Sequence, residues 1–92
     1  GGAVPLGYKR VEKKLKVVQE EAKKINLIFD KYLELKSVSE LKTYLDKNKI
    51  KTKTYKTFSK GQLYHILSNK VYAGKIQHKD KVYEGEHEAI ID

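Results

Sequence analysis

The chain of 92 residues has room for one domain. Its 20 lysines and arginines outnumber its 12 aspartates and glutamates and give a net charge of +8, which favours a polyanionic partner over a lysine coat that only serves solubility. Cysteine is absent, which excludes disulfides, thiol nucleophiles and thiolate metal sites, and no apolar run reaches the about 18–20 residues of a membrane span.

The N-terminal segment is predicted to be a linker that leads into a strand. The only proline, Pro5, lies among three glycines within residues 1–7, and this composition is typical of a linker. We expect a short strand to follow over Tyr8–Val18.

A first helix is predicted over Gln19–Leu35. Glu20 and Glu21 suit the positive end of its dipole. Its apolar residues recur at helical spacing, which predicts one buried stripe made of Ala22, Ile25, Ile28, Phe29, Tyr32 and Leu33.

A second helix is predicted to begin at Ser37, because Glu40 three residues later completes a capping box. It should end near Asn48, which tolerates left-handed backbone, and Ile50 should then return to the core. Its inner residues are predicted to be Val38, Leu41 and Leu45.

A third helix is predicted to begin at the N-cap Ser59 and to reach Asn69. Residues 51–57 before it alternate lysine with threonine and tyrosine, which indicates an exposed turn or short wing. A hairpin is expected after it, with strands Lys75–Lys79 and Lys81–Glu84 and a turn near Asp80. The inner residues of the helix are predicted to be Leu63, Ile66 and Leu67.

The outward face of this third helix carries hydrogen-bond donors and acceptors but no acid. Acids would be repelled by phosphates, whereas amides such as those of Gln and Asn pair with adenine in the major groove. Two helices joined by a turn, the second with such a face, are typical of a helix-turn-helix. We therefore predict DNA base contacts, with a solvated helix face as the alternative, from Lys60, Gly61, Gln62, Tyr64, His65 and Ser68.

Lysines are concentrated just before this helix, where seven of them and one acid, Asp46, occur between Lys42 and Lys60. Arg10 is the only arginine, and lysine neutralises phosphates as a point charge, so contacts should fall mainly on the DNA backbone. The predicted phosphate contacts, which would otherwise form a mobile solvated loop, are Lys49, Lys51, Lys53, Tyr55, Lys56 and Thr57.

No catalytic or metal-binding arrangement can be identified. His65, His78 and His87 are widely spaced and have no cysteine partners. Ser37 and Ser59 are explained as helix caps, since no base or oxyanion arrangement accompanies them. We expect no cofactor and no metal, and we do not expect this chain to be an enzyme.

A series of short motifs runs along nearly the whole chain: Pro5-Leu6-Gly7-Tyr8, Glu21-Ala22, Ile28-Phe29 with Tyr32, Ser39 to Leu45 with Ile50, Phe58-Ser59, Ile66-Leu67 with Asn69, Val71-Tyr72, Gly74, Gly85, His87 and Ala89-Ile90-Ile91. In this order they resemble the recombinase domain of large serine recombinases, a resolvase-type family of site-specific integrases. The chain departs from the family where Lys49 replaces a usual glycine and Lys70 a common proline.

The resemblance implies a parent recombinase, borne by a prophage or transposon, that cuts and rejoins DNA at attachment sites. The family's catalytic serine domain and zinc ribbon lie outside these 92 residues. The helix Ser59–Asn69 would lie in the major groove, and Asn69, Tyr72 and Gly74 would shape the fold. A linker would cross the minor groove with Ala3, Val4, Pro5, Leu6, Tyr8, Lys9 and Arg10.

We therefore expect a single α+β domain, helix-turn-helix-like, with three helices and a small antiparallel β-sheet. Its partner should be double-stranded DNA, bound at one half of an attachment site in the bacterial cytoplasm and nucleoid, without a membrane. The isolated domain should be monomeric and the parent oligomeric on DNA. The alternatives are an RNA-binding domain and a basic protein-interaction domain, which competition between duplex DNA and RNA would distinguish.

Overall fold

The computed structural model describes residues 4–92. It has the expected α+β architecture, but its strands form two separate two-stranded antiparallel sheets instead of one. A 3-10 helix at Lys70–Ala73, which the sequence did not predict, links the last helix to the second sheet. The elements in chain order are β1 Tyr8–Val11, β2 Lys14–Val17, α1 Gln19–Leu35, α2 Val38–Lys47, α3 Lys60–Ser68, β3 Lys75–His78 and β4 Lys81–Glu84.

The prediction of one strand over residues 8–18 is wrong, because the chain reverses within it. Glu12 and Lys13 both have positive φ angles, of 50° and 67°, which is the backbone of a type I′ turn. β1 and β2 therefore pair antiparallel, with Tyr8 opposite Val17 and Val11 opposite Lys14. The twist of such a turn matches that of the paired strands, and here it forms without the usual Asn-Gly sequence.

The core lies where the three helices meet, and the inner residues of each helix match the predicted stripes with one exception. Leu33 is 69% exposed, so its predicted burial is wrong. At 100° per residue it lies about 80° around α1 from Ile25, at the edge of the stripe. The largest fully buried side chains are Tyr8, Ile25, Ile28, Leu41, Leu45, Leu63 and Tyr72.

The predicted end of α2 is confirmed, but Asn48 has φ −93°, and the residue with left-handed backbone is Lys49 instead. Its φ is 56°, the left-handed conformation that glycine adopts most easily. The Lys49 N–H donates to Asp46 O over 3.1 Å, and the Ile50 N–H donates to Leu45 O over 2.9 Å. These two bonds make a Schellman motif, and Ile50 packs against the core as expected.

The two ends of the described chain pack against each other through Tyr8. Its hydroxyl lies 2.6 Å from Glu88 O and 3.2 Å from Val71 O. Burial, and then the charge of Glu88, raise the pKa of Tyr8 to about 12. Beside it, Gly7 has φ +102°, and a Cβ there would lie 2.7 Å from Ile90 Cδ1.

The expected structural roles at the end of α3 are confirmed. The Asn69 side chain accepts from the Val71 N–H over 3.0 Å and caps the 3-10 helix. Tyr72 is buried in the core, and Gly74 ends the 3-10 helix with φ +77°. The predicted hairpin follows as β3 and β4, paired from Lys75 opposite Glu84 to His78 opposite Lys81.

Candidate nucleic-acid interface

The N-terminus of α3 is fixed by a complete capping box. Ser59 Oγ accepts from the Gln62 N–H over 3.1 Å, and Gln62 Oε1 accepts from the Ser59 N–H over 2.8 Å. Leu63 and Ile66 are buried, which turns the opposite side of the helix to solvent. The six residues predicted to contact bases are all exposed, as that prediction requires: Lys60, Gly61, Gln62, Tyr64, His65 and Ser68.

A groove of about 1000 Å³ lies beside this face of α3. Its walls come from the N-terminal segment, the β1–β2 hairpin, the loop at residues 52–54, and α3. The groove brings together members of all three predicted sets, namely Val4, Pro5, Leu6 and Arg10 of the linker, Lys53 of the phosphate set, and Gly61, Gln62 and His65 of the base set.

The electrostatics of this groove favour an anion. Arg10, Lys13 and Lys53 line it, and no aspartate or glutamate lies among the lining residues within 4–92. Its apolar surface includes Leu15, Phe58 and Ile66, while the amide of Gln62 and the imidazole of His65 supply donors and acceptors. The groove can therefore hold a charged backbone and present polar groups beside it.

A second, smaller groove of about 350 Å³ lies at the end of α3 next to β3. Lys70, Lys75 and Gln77 line it together with Ser68. His65, Asn69 and Val71 line both grooves. The two grooves therefore adjoin at these residues.

The predicted turn before α3 is confirmed as a three-residue loop closed by hydrogen bonds. The Thr52 N–H donates to Lys56 O over 2.8 Å, the Tyr55 N–H donates to Thr52 O over 3.0 Å, and Thr52 Oγ1 accepts from the Lys56 N–H. Tyr55 has φ 61° and is 86% exposed. The loop therefore projects a phenol ring beside Lys53 and Lys56.

Most of the predicted phosphate set lies outside the two grooves. Lys49, Tyr55, Lys56 and Thr57 are exposed on the surrounding surface, and Lys51 is half-buried. The carbonyl of Lys51 accepts from Lys24 Nζ over 2.7 Å, which ties this stretch to α1. Of the set, only Lys53 lines a groove in the described part of the chain.

One predicted linker residue is corrected. Tyr8 is fully buried and bonded to the carbonyls of Val71 and Glu88, so its side chain does not face a DNA groove. Lys9 and Arg10 are exposed on β1. Ala3 lies outside the described residues.

Lys13 is a groove residue that the sequence pattern does not predict. The pattern places Lys13 inside a continuous strand, whereas the turn at Glu12–Lys13 brings it to the groove that Arg10 also lines. The available signal was length, because a strand over residues 8–18 would be about twice the usual 5–6 residues.

Neither a metal site nor a membrane span emerges within residues 4–92. The described histidines, aspartates and glutamates form no cluster of three that could hold a metal ion. No described helix is both long and apolar enough to cross a bilayer.

Comparison with known proteins gives a family and several solved structures. A family model described as Recombinase matches residues 19–92. A chain in the crystal structure of an LSR–DNA complex, LSR being a large serine recombinase, is 32% identical with a TM-score of 0.84. A chain from a study of sequence requirements of the Listeria innocua prophage attP site is 33% identical with a TM-score of 0.81.

These similarities cover 99% and 94% of the present chain. They cover only 28% and 36% of the two matched chains. The present chain therefore spans about a third of the length of each. No curated protein sequence gave a match.

Proposed function

The chain belongs to the Recombinase family, and we propose that it is the DNA-binding module of a site-specific serine recombinase. It recognises one half of an attachment site in duplex DNA. The observation that carries this proposal is the groove of about 1000 Å³, whose described lining residues include no aspartate or glutamate. The N-terminal segment, a cationic loop and the polar face of α3 meet there.

In this proposal α3 lies in the major groove. His65 and Gln62 face the base edges, since both are exposed and both line the groove beside the helix. Lys60, Gly61, Tyr64 and Ser68 complete the contact face. An α-helix fits the width of the DNA major groove, where each base pair presents a distinct pattern of donors and acceptors.

Gln62 has two roles in this proposal, since it caps α3 and also contacts a base. Its Oε1 already accepts from the Ser59 N–H, but a carbonyl oxygen has two lone pairs and can accept a second hydrogen bond. Its amide nitrogen donates independently. Gln62 can therefore contact adenine while the cap stays formed, with its rotamer held in advance.

The cations supply the contacts that do not depend on sequence. Lys53 and Lys13 line the groove, and Lys49, Lys51 and Lys56 extend the set of cations along the surface. The hydroxyl groups of Tyr55 and Thr57 complete the phosphate contacts. If about five phosphates are neutralised, log affinity should fall against log salt with a slope of about −4 to −5. The segment Val4–Leu6, with Lys9 and Arg10, follows the minor groove.

No chemical step is assigned to this chain. The family resemblance assigns strand cleavage and assembly on DNA to other regions of a parent recombinase, and we expect the isolated module to bind as a monomer. Its place of action is the cytoplasmic compartment that holds the DNA.

The test begins with duplex selection from a random pool, followed by footprinting of the enriched site. His65→Ala and Gln62→Ala should then weaken binding to the selected duplex by about 1–3 kcal/mol, with little change on random duplex. His78→Ala is the matched control, because His78 is an exposed histidine on β3 that lines neither groove.

Lys53→Ala and Lys56→Ala should lower affinity for all sequences and flatten the salt slope by about 1 each. Equal losses on selected and random duplex would remove Gln62 and His65 from base recognition. An enriched pool that shows no footprint would contradict the function as a whole.

A further inference from the structure

The carboxylate of Glu21 joins three separate parts of the molecule at one oxygen atom. Glu21 Oε1 accepts from the Gly7 N–H over 2.9 Å and lies 3.3 Å from Lys53 Nζ. Gly7 belongs to the N-terminal segment, Glu21 to the first turn of α1 and Lys53 to the loop before α3. The Glu21 side chain is only 25% exposed, so this contact is shielded in part from solvent.

The contact fixes the direction of the N-terminal segment because Gly7 is held from more than one side. Its carbonyl accepts from the Val18 N–H over 2.8 Å, while its N–H is held by Glu21. Ile90 packs so close to its Cα that a side chain at this position would collide with it. Residues 4–6, which line the groove, are thereby held in position relative to α3.

The same oxygen also restrains Lys53, which lines the groove with Gln62 and His65. A lysine on an exposed loop has several rotatable bonds to order before it can meet a phosphate. The Glu21 carboxylate holds the Lys53 ammonium near the groove rim. As a negative charge close to that rim, it also opposes the approach of a phosphate.

We propose that Glu21 is a positioning residue for duplex binding, which holds the N-terminal segment in place relative to the α3 face through its bond to the Gly7 N–H, while its charge pairs with Lys53. This inference rests on the function proposed above. It predicts that the hydrogen bond and the charge of Glu21 have opposite effects on affinity. The bond to the Gly7 N–H strengthens binding of a duplex that reaches the N-terminal segment. The negative charge of the Glu21 carboxylate weakens binding of every duplex.

Two substitutions separate these effects. Glu21→Gln keeps an acceptor for the Gly7 N–H but removes the charge, whereas Glu21→Ala removes both. The full chain would be titrated with two duplexes defined by footprinting. The long duplex covers the contacts of the N-terminal segment and of α3, and the short duplex ends at the α3 contacts.

Glu21→Ala should bind the long duplex about tenfold more weakly than Glu21→Gln does, the size expected for one or two lost hydrogen bonds. The two variants should bind the short duplex equally. Glu21→Gln should bind both duplexes more tightly than the unaltered chain and keep its ratio of long-duplex to short-duplex affinity. Glu20→Ala is the matched control, because Glu20 is 87% exposed and pairs with Lys23 on its own helix; it should leave this ratio unchanged.

A loss by Glu21→Ala that is equal on both duplexes would overturn the positioning role, and so would a Glu21→Gln variant with the same altered ratio as Glu21→Ala. If Glu21→Ala fails to fold, Glu21→Asp replaces it, because its carboxylate is one methylene shorter; an unchanged ratio in that variant would overturn the inference. If the unaltered chain binds neither duplex, it is the proposed DNA-binding function that fails.

Discussion

Helices α2 and α3 are built alike on the inside and differently on the outside. They have 10 and 9 residues, each begins at a serine cap, and each buries aliphatic side chains in the same core. The outer face of α2 carries both signs of charge, and its Lys42 pairs with Asp46 over 3.1 Å. The outer face of α3 carries no acid.

The difference indicates which helix has a partner outside the molecule. α2 carries an i,i+4 ion pair between Lys42 and Asp46, of the kind found on ordinary solvated helices. α3 lacks two features that stabilise helices. No acid faces its positive N-terminus, and its first turn contains Gly61, a poor helix former. A less stable helix whose polar groups face outward has the features expected of a binding surface.

The inner faces should prove equivalent, and this is the largest expected effect. Leu45→Ala in α2 and Leu63→Ala in α3 each remove a fully buried side chain and should lower the free energy of unfolding by about 2–5 kcal/mol. Urea denaturation followed by circular dichroism measures both. A cost at Leu63 below about 1 kcal/mol would show that α3 is not part of the common core.

The serine caps allow the N-termini of α2 and α3 to be compared. Ser37→Ala and Ser59→Ala should each cost about 0.5–2 kcal/mol of stability. The two losses should be similar, because each serine Oγ accepts one hydrogen bond, Ser59 from the Gln62 N–H and Ser37 from the Glu40 N–H. The second bond of the box at Ser59 is donated by its backbone N–H, which alanine keeps. Thermal melts of both variants would test this equality.

A substitution at Gly61 should change the stability of the domain and its affinity for DNA in opposite directions. A Cβ at this position has open space, with Ser59 Oγ 3.9 Å away as its nearest neighbour, so Gly61→Ala should stabilise the domain by about 0.5–1 kcal/mol. The added methyl group stands on the face proposed to meet DNA, and duplex affinity should fall. Ser39→Ala, at the matching position of α2, should leave affinity unchanged in the same binding assay.

The smallest stability change is expected at the third position of each helix, where α2 has Glu40 and α3 has Gln62. Gln62→Glu keeps a side-chain acceptor for the cap and should stabilise α3 by about 0.3–1 kcal/mol through the helix dipole. It should nevertheless weaken duplex binding, since it introduces an acid beside phosphates.

Glu40→Gln should have the opposite effect on stability and little effect on DNA affinity. Melting temperatures and anisotropy titrations of the two variants measure both quantities. If Gln62→Glu raised DNA affinity, the proposed orientation of α3 would be contradicted.

The sequence predicted the helices because their signals are local. The bounds of α1 match the predicted Gln19–Leu35, and Ser37 and Ser59 both cap helices as expected. These elements follow from apolar spacing and capping residues, which act over one or two turns. The exposure of His65 and Gln62 followed from the same periodicity.

What the sequence did not predict depends on tertiary packing. The turn at Glu12–Lys13 lacks the residues that usually form it, and it decides that Lys13 reaches the groove. The burial of Tyr8 is decided by carbonyl groups of Val71 and Glu88 far along the chain. No local pattern contains these partners, so the hairpin and the core tyrosine could not be inferred from it.

The bond between Tyr8 and the carbonyl of Glu88 spans 80 positions in the sequence. Closing so long a loop lowers the entropy of the chain. Contacts between the end segments can offset this loss only after the helices have formed the surface on which these segments pack. The two end segments should therefore dock late in folding and detach together. In hydrogen exchange, the amides of Gly7, Ile90 and Ile91 should open with one common free energy, and shortening the chain at one end should loosen the other.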